Sequence, residues 1–370
     1  MEDIIAVASP PPPPLPPSWA AGMPEQVGPA RTEHRFEFSG DAREYFRIWV
    51  VNLALSVVTL GVFSAWAKVR SERYFYGNTR LAGQPFEYLA RPLPILKGRI
   101  IALVLFGSYV LAGQVSLKLQ LATAAVLALA TPWLLVRGAA FRARYSAWRG
   151  INFRFVPDYG EAYVRYLLLL IPIVFSAGLM YPYVKAKQKS FIVEHHRYGG
   201  TWFTFRATPS QFYPPYVLAW SVVVACIFLT SLVAGGILMA LMAHEGGTPP
   251  EWIALIYAVP MYGSYFVVWA FLAAALANLV YNHVDLGQHR FRSTLKGRQL
   301  LWIYAGNTVA ILASAGFLIP WAKIRLARYR AENLTVLAAG DLAAFRAETR
   351  ADVDATAAEM DGLFDIDIGL

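Results

Sequence analysis

A chain of 370 residues that is 57% hydrophobic and only 15% charged, with a mean hydropathy of +0.42, is too apolar for an ordinary soluble protein. Its formal net charge of +9 is carried by Lys and Arg clustered beside apolar runs, which points to a membrane face and anionic lipid headgroups rather than to nucleic acid. A lone cysteine, Cys226, lies inside an apolar run, which excludes an intrachain disulfide and a cysteine metal cluster.

The chain opens on Met1-Glu2-Asp3 with no basic segment before an apolar core, so no cleaved signal peptide is expected. Residues 1 to 33 form a Pro-rich tail, with prolines at every position from 10 to 14, which favours extended backbone and builds no core. Arg35-Phe36-Glu37-Phe38 alternates as a strand does, and Ser39-Gly40-Asp41 ends it as a turn or helix cap. The Phe-x-Phe pattern returns at Phe153 and Phe155, at Phe203 and Phe205, and more loosely around Phe291.

One stretch recurs. Asn52, Gly61, Trp66-Ala67-Lys68-Val69-Arg70, Arg73-Tyr74 and Asn78 reappear with the same spacing as Asn307, Gly316, Trp321-Ala322-Lys323-Ile324-Arg325, Arg328-Tyr329 and Asn333. Weaker copies run through Tyr183, Lys185, Lys187, Phe191 and His195, and through Trp133, Arg137, Phe141 and Tyr145. Repeats at residues 36–88, 153–205 and 291–338 therefore organise a membrane domain spanning residues 34–338.

Seven apolar stretches approach the length that crosses a bilayer, about 20 helical residues: 45–65, 100–115, 119–136, 163–182, 216–242, 252–281 and 300–320. Those at 45–65, 163–182 and 300–320 carry basic residues at both ends, so seven simple crossings violate the preference of Lys and Arg for one side. If these three dip in and return, only the pairs at 100–136 and 216–281 cross. Thr59 and Gly61, Ser176 and Gly178, and Ser314 and Gly316 mark plausible breaks, with Pro182 and Pro320 following in two copies and Pro132 marking the same place before Trp133. A kinked but complete helix fits the same residues.

A turn-and-strand signature follows each basic segment, as in residues 78–88 and 198–205, and implies small cytoplasmic β-hairpins or a compact sheet beneath the helices. Residues 339–370 read as a helical and acidic tail, able to fold back on the basic face. The expected fold is mainly α: a polytopic helical membrane protein with internal repeats, re-entrant or kinked repeat helices and small β-hairpins.

Thr59-Leu60-Gly61, Trp66-Ala67-Lys68-Val69-Arg70, Arg73-Tyr74-Phe75-Tyr76, Asn78-Thr79, Gly83, Phe86-Glu87-Tyr88 and the closing Phe364-Asp365-Ile366-Asp367-Ile368-Gly369-Leu370 together resemble the YjgN family of bacterial inner-membrane proteins. The resemblance covers residues 34–370 and implies a multi-pass inner-membrane location, with both termini cytoplasmic. It brings no catalytic residues.

No nucleophile elbow, phosphate loop or metal-spaced cluster is present, so no enzyme, cofactor or metal is expected. His195 and His196 beside Glu194 lack further converging ligands, and His195 stands at the repeat position of Asn78. Trp66, Lys68, Arg70, Arg73, Tyr183, Lys185, Lys187, Trp321, Lys323, Arg325 and Arg328 are the candidate lipid contacts, because rings anchor at the interface and long basic stems reach phosphates. Asn52, Thr59 and Asn307 are candidate intramembrane polar groups, either lining a cavity or gluing helices. The expected role is to handle or transport a small or lipidic ligand at the cytoplasmic leaflet. The alternative is a membrane scaffold that recruits cytoplasmic partners.

Overall fold

The structure, a computed structural model, describes residues 31–245 and 252–340, apart from the side chains of residues 244 and 245. Residues 1–30 of the Pro-rich tail and 341–370 of the acidic C-terminal segment lie outside the described residues, whereas Arg31 to Glu33 and Ala339 belong to strands. Ten strands form within them: β1 Arg31–Phe38, β2 Thr79–Leu81, β3 Gln84–Tyr88, β4 Ser146–Trp148, β5 Ile151–Phe155, β6 His196–Tyr198, β7 Thr201–Phe205, β8 Val284–Leu286, β9 His289–Ser293 and β10 Leu334–Ala339. Each pairs antiparallel with its neighbours in chain order, and β10 pairs back onto β1 from Arg31↔Ala339 to Arg35↔Thr335, closing a barrel.

That topology fixes where everything else goes. Two-residue turns join β2 to β3, β4 to β5, β6 to β7 and β8 to β9 at one end of the barrel. The central residues of the first two have positive φ, 49° and 73° at Ala82 and Gly83, 51° and 76° at Arg149 and Gly150, as the twist-matched hairpin turn requires. The other five connections leave from the opposite end, and each is a pair of helical arms.

Inside the barrel a single layer is built by directly paired residues: Phe36↔Leu81, Phe86↔Trp148, Phe153↔Tyr198, Phe203↔Leu286 and Phe291↔Val336. The odd strands supply a phenylalanine every time. Rings touch around the layer at centroid distances of 5.9 Å for Phe36 and Phe86, 6.0 Å for Phe86 and Trp148, 5.0 Å for Phe153 and Tyr198, and 6.3 Å for Phe203 and Phe291. The barrel is a packed core rather than a pore.

Two helix pairs are long: α3 Pro92–Val115 with α4 Leu117–Arg144, and α8 Tyr213–Glu245 with α9 Ile253–Tyr281. These four helices are long and apolar enough to cross a membrane. Three pairs are short. They are α1 Ala42–Val58 with α2 Ser64–Asn78, the composite arm α5 Tyr159–Tyr163, a π-helical turn Val164–Leu168 and α6 Leu170–Phe175 with α7 Tyr181–Glu194, and α10 Gly297–Ala313 with α11 Ile319–Glu332.

The short pairs double back. Ser39 Oγ donates to the Asn78 carboxamide at 3.0 Å, and the Asp41 N–H donates to the Tyr74 hydroxyl at 2.8 Å. Arg70 donates to Asn52 at 3.2 Å, so contacts climb symmetrically towards the break at Leu60 and Gly61. The ring of hairpins closes where Arg328 donates to the Gly40 carbonyl at 3.0 Å and Ile324 packs with Phe38 and Tyr45.

The sequence reading of a mainly helical protein with small, separate β-hairpins is overturned by the closed ten-strand barrel. The cause is strand length: three to eight residues per strand, with partners brought together only across intervening helices, leave no local period to read. Pro132 also breaks nothing, since it lies inside the continuous helix α4.

The barrel's closing seam carries a buried imidazole. Ala339 N–H donates to Nδ1 of His289 at 3.3 Å, and burial holds the His289 pKa below its ordinary value. Native structure thus favours the neutral ring, so its stabilisation is full above about pH 6.5 and is lost as pH falls towards the lower folded value. His196, lowered chiefly by burial, acts in the same direction. The thermal midpoint of detergent-solubilised protein is expected to fall between pH 7 and pH 5, and His289→Asn to reduce that slope. An unchanged slope would contradict this account.

Candidate functional site

The three short hairpins end in one construction. Leu60, Ala177 and Ala315 have φ of 48°, 49° and 47°, followed by Gly61, Gly178 and Gly316 at 91°, 89° and 93°. The N–H of each glycine reaches back to a helical carbonyl: Gly61 to Ser56 at 2.7 Å, Gly178 to Ile173 and Gly316 to Ile311, both at 2.8 Å. This is a glycine-dependent helix stop with a six-to-one bond. The hydroxyl two residues before each glycine then caps the returning helix, with Phe63 N–H donating to Thr59 Oγ1 at 2.9 Å and Met180 and Leu318 N–H donating to Ser176 and Ser314 Oγ at 3.0 Å.

Those bonds let a chain reversal stand without water, the condition for irregular backbone within hydrocarbon. The side chains agree. Leu60 is 95% exposed, Phe175 87% and Leu312 76%, and no charged residue lies between 57 and 63, 174 and 180, or 312 and 318. The long pairs differ, since α3 and α4 meet at Ser116, Lys118 and Gln120.

Below every tip the interfacial residues recur at one height. Lys68, Lys185 and Lys323 follow Leu60, Ala177 and Ala315 by eight residues, about 12 Å along a helix, and Arg70, Lys187 and Arg325 by ten, about 15 Å. Half a hydrocarbon core is also about 15 Å. Trp66, Tyr183 and Trp321 stand just above the cations. Lys187 Nζ lies 5.7 Å from the Tyr183 ring centroid and the Arg325 guanidinium 5.3 Å from that of Trp321.

The candidates divide by what holds them. Lys68 is paired with Glu72 one turn on. Arg73 donates to the Tyr88 and Ala90 carbonyls at 3.4 and 3.2 Å, and Arg328 to Gly40, so these two arginines staple one hairpin to the next. Asn52 and Asn307 each tie the two arms of their own hairpin: Asn52 accepts from Arg70, and Asn307 accepts from Arg325 at 3.4 Å while donating to the Ala322 carbonyl at 3.2 Å. Thr59 is the tip cap described above.

Where the hairpins meet the barrel, Asp41 caps α1, and the N–H groups of Glu44 and Arg43 hold its carboxyl below the usual range. Burial pushes the neighbouring Tyr74 phenol up to about 12. Phe191 replaces this tyrosine in the middle hairpin. There Asp158, Glu161 and His195 bring one ligand atom each within 4.8 Å of one another. One atom of each has a protein partner: Asp158 Oδ1 accepts from Glu161 N–H at 2.8 Å, Glu161 Oε1 pairs with Arg165 at 2.8 Å, and His195 Nδ1 lies 2.8 Å from the Phe191 carbonyl, while His195 Nε2 faces Glu161 Oε2 at 3.5 Å.

Two cavities adjoin this frame. One of about 340 Å³ lies at the barrel mouth among Phe36, Phe75, Tyr76, Phe86 and Phe153. The other, about 430 Å³, lies between the middle hairpin and the second long pair, lined by Tyr181, Tyr216, Trp220 and Tyr265. The sequence reading missed Arg99, Tyr181 and Tyr216. Extending the repeat offset from the hairpins into the long helices would have aligned them.

A barrel that carries helical hairpins at one end, with four helices long enough to cross a bilayer, defines an integral membrane protein. The chain belongs to the family of bacterial proteins of unknown function DUF898, whose model matches residues 33–363. It is 26% identical to inner membrane protein YjgN of Salmonella typhimurium (strain LT2) over 84% of this chain and 89% of that one. Shorter matches reach 29% identity to the YjgN of Escherichia coli O157:H7, over 40% and 36% of the two chains, and 44% to that of strain K12, over 15% and 14%. These relatives support the bacterial inner membrane as its location. No solved structure matches the chain.

If Asn52 and Asn307 are interhelical ties, replacing both by leucine should lower the thermal midpoint in detergent, with about 1 kcal/mol lost per site. An unchanged midpoint would assign them a role other than holding the arms together.

Proposed function

We propose that the protein is a non-enzymatic module that engages and moves anionic phospholipid at the cytoplasmic leaflet of the inner membrane. The observation that carries this is the shared geometry of three apolar tips, each about 12 to 15 Å above a cationic and aromatic collar. A tip of that depth occupies one leaflet, and its collar meets the phosphates of the same leaflet. Each Lys or Arg there contributes about 1 kcal/mol of attraction to an anionic surface.

The long pairs support the same orientation. Arg99 of α3 donates to Ser64 beside the first tip, and α3 runs on for 17 residues to Ser116, about 25 Å further. The hairpins therefore stop where the spans continue. On this reading the barrel is cytoplasmic, and its turn end, where Arg31 pairs with Ala339, faces away from the bilayer.

Lys68→Gln, Arg70→Gln, Lys323→Gln and Arg325→Gln combined should remove most phosphatidylglycerol retained by the purified protein in native mass spectrometry, while the wild type prefers it to phosphatidylcholine. Each lost charge corresponds to roughly a fivefold weaker interaction. Equal retention of the two lipids by the wild type would overturn the reading.

A further inference from the structure

The three hairpins are not equivalent, and the middle one departs in a consistent direction. The position of Asn52 and Asn307 is Leu169 there, and Arg70 and Arg325 become Lys187. The polar tie at that level is gone, and the arms are held instead nearer the barrel, where Gln188 Nε2 donates to the Arg165 carbonyl at 3.2 Å. The arm itself is interrupted by the π-helical turn Val164–Leu168. The neighbouring junction has changed as well. Between the first hairpin and the span that follows, Arg99 donates to Ser64 and ties the two together. Carrying the repeat offset of 117 residues across (Tyr88 to Phe205, Gly61 to Gly178) places Tyr216 at the Arg99 position and Tyr181 at the Ser64 position.

A polar tie has thus become a pair of aromatic rings, 5.3 Å apart and nearly perpendicular. Beside them opens the cavity of about 430 Å³, within the size range of small-molecule sites. Its wall is apolar, made by Trp220, Val224, Tyr265 and Leu272. Val224 is 64% exposed and Tyr265 49%, so the cavity is open sideways from helices that read as membrane spans. Lys185 Nζ sits 5.3 Å from the ring centroid of Tyr181, one of the residues that line the cavity. Lys189 lies one turn below it, and the nearby Glu194 is bonded to Ser190 at 2.8 Å.

An apolar slot open to the bilayer, with a half-buried ammonium beside one of its lining rings, is complementary to one molecule of the inner leaflet. The geometry points to a specific site for an anionic phospholipid, with an acyl chain in the slot between α7, α8 and α9 and the phosphate on Lys185. The site rests on the proposed lipid role and narrows it to one of the three hairpins.

Native mass spectrometry of the full chain in detergent, titrated with phosphatidylglycerol and phosphatidylcholine, tests it. The wild type should hold one phosphatidylglycerol more tightly than all others. Val224→Trp, which fills the slot, should weaken that first binding at least tenfold, and so should Tyr181→Ser with Tyr216→Arg, which rebuilds the polar junction. Lys185→Gln should lower the preference for phosphatidylglycerol over phosphatidylcholine about fivefold. If the tightest phosphatidylglycerol survives both slot variants but is lost on removing the Lys68, Arg70, Lys323 and Arg325 charges, this site is wrong and the broader role stands. If the wild type retains no phosphatidylglycerol, both fall.

Discussion

Backbone amides and carbonyls must find partners inside the protein wherever water is absent, and this requirement shapes both halves of the molecule. At each hairpin tip a positive-φ residue, a glycine and a hydroxyl together satisfy a reversal that would otherwise expose free groups. In the barrel, β10 returning onto β1 leaves no unpaired edge. The tips can therefore rest in hydrocarbon, and the strands that anchor them can be as short as three residues.

The barrel gives the helices a common origin. Because successive strands are antiparallel and adjacent, every helical hairpin leaves the same end, and the alternation of short and long pairs follows from chain order alone. Arg73 and Arg328, each donating to carbonyls at the start of the next helical arm, fasten neighbours around the ring. The phenylalanine layer then fills the interior, with one ring from each odd strand. Five similar units share one core, and none could bury its own two or three strands alone.

Much of the helical half was legible. The repeat of Trp66 to Arg70 at Trp321 to Arg325, the Ser/Thr-x-Gly breaks and the basic residues at both ends of the short stretches argued for segments that either turn back or kink, and in the structure all three turn back. The barrel was not legible as a barrel. Its Phe-x-Phe strands were visible, but Phe36 meets Leu81, and Phe203 meets Leu286, only after a helical pair has intervened. Local pattern carries no information on that closure. The stapling by Arg73 and Arg328 was not legible either, since charge beside an apolar run does not show which neighbouring backbone its guanidinium serves. Divergence of the middle hairpin looked like decay in the sequence. With Leu169, Phe191 and Tyr216 in place, three polar positions of the first hairpin have become apolar or aromatic, while Gln188 ties the arms nearer the barrel.

Depth of the hairpin tips is the central claim, and labelling of single cysteines in a Cys226→Ser background measures it directly. Cysteines at Leu60, Ala177, Ala315, Lys118 and Arg149 would be treated with a membrane-impermeant maleimide, in intact spheroplasts and after lysis. Lys118→Cys should label in intact spheroplasts, Arg149→Cys only after lysis, and the three tip cysteines in neither condition. Labelling of any tip from outside would mean that the short hairpins cross the membrane, and the arrangement described here would be wrong.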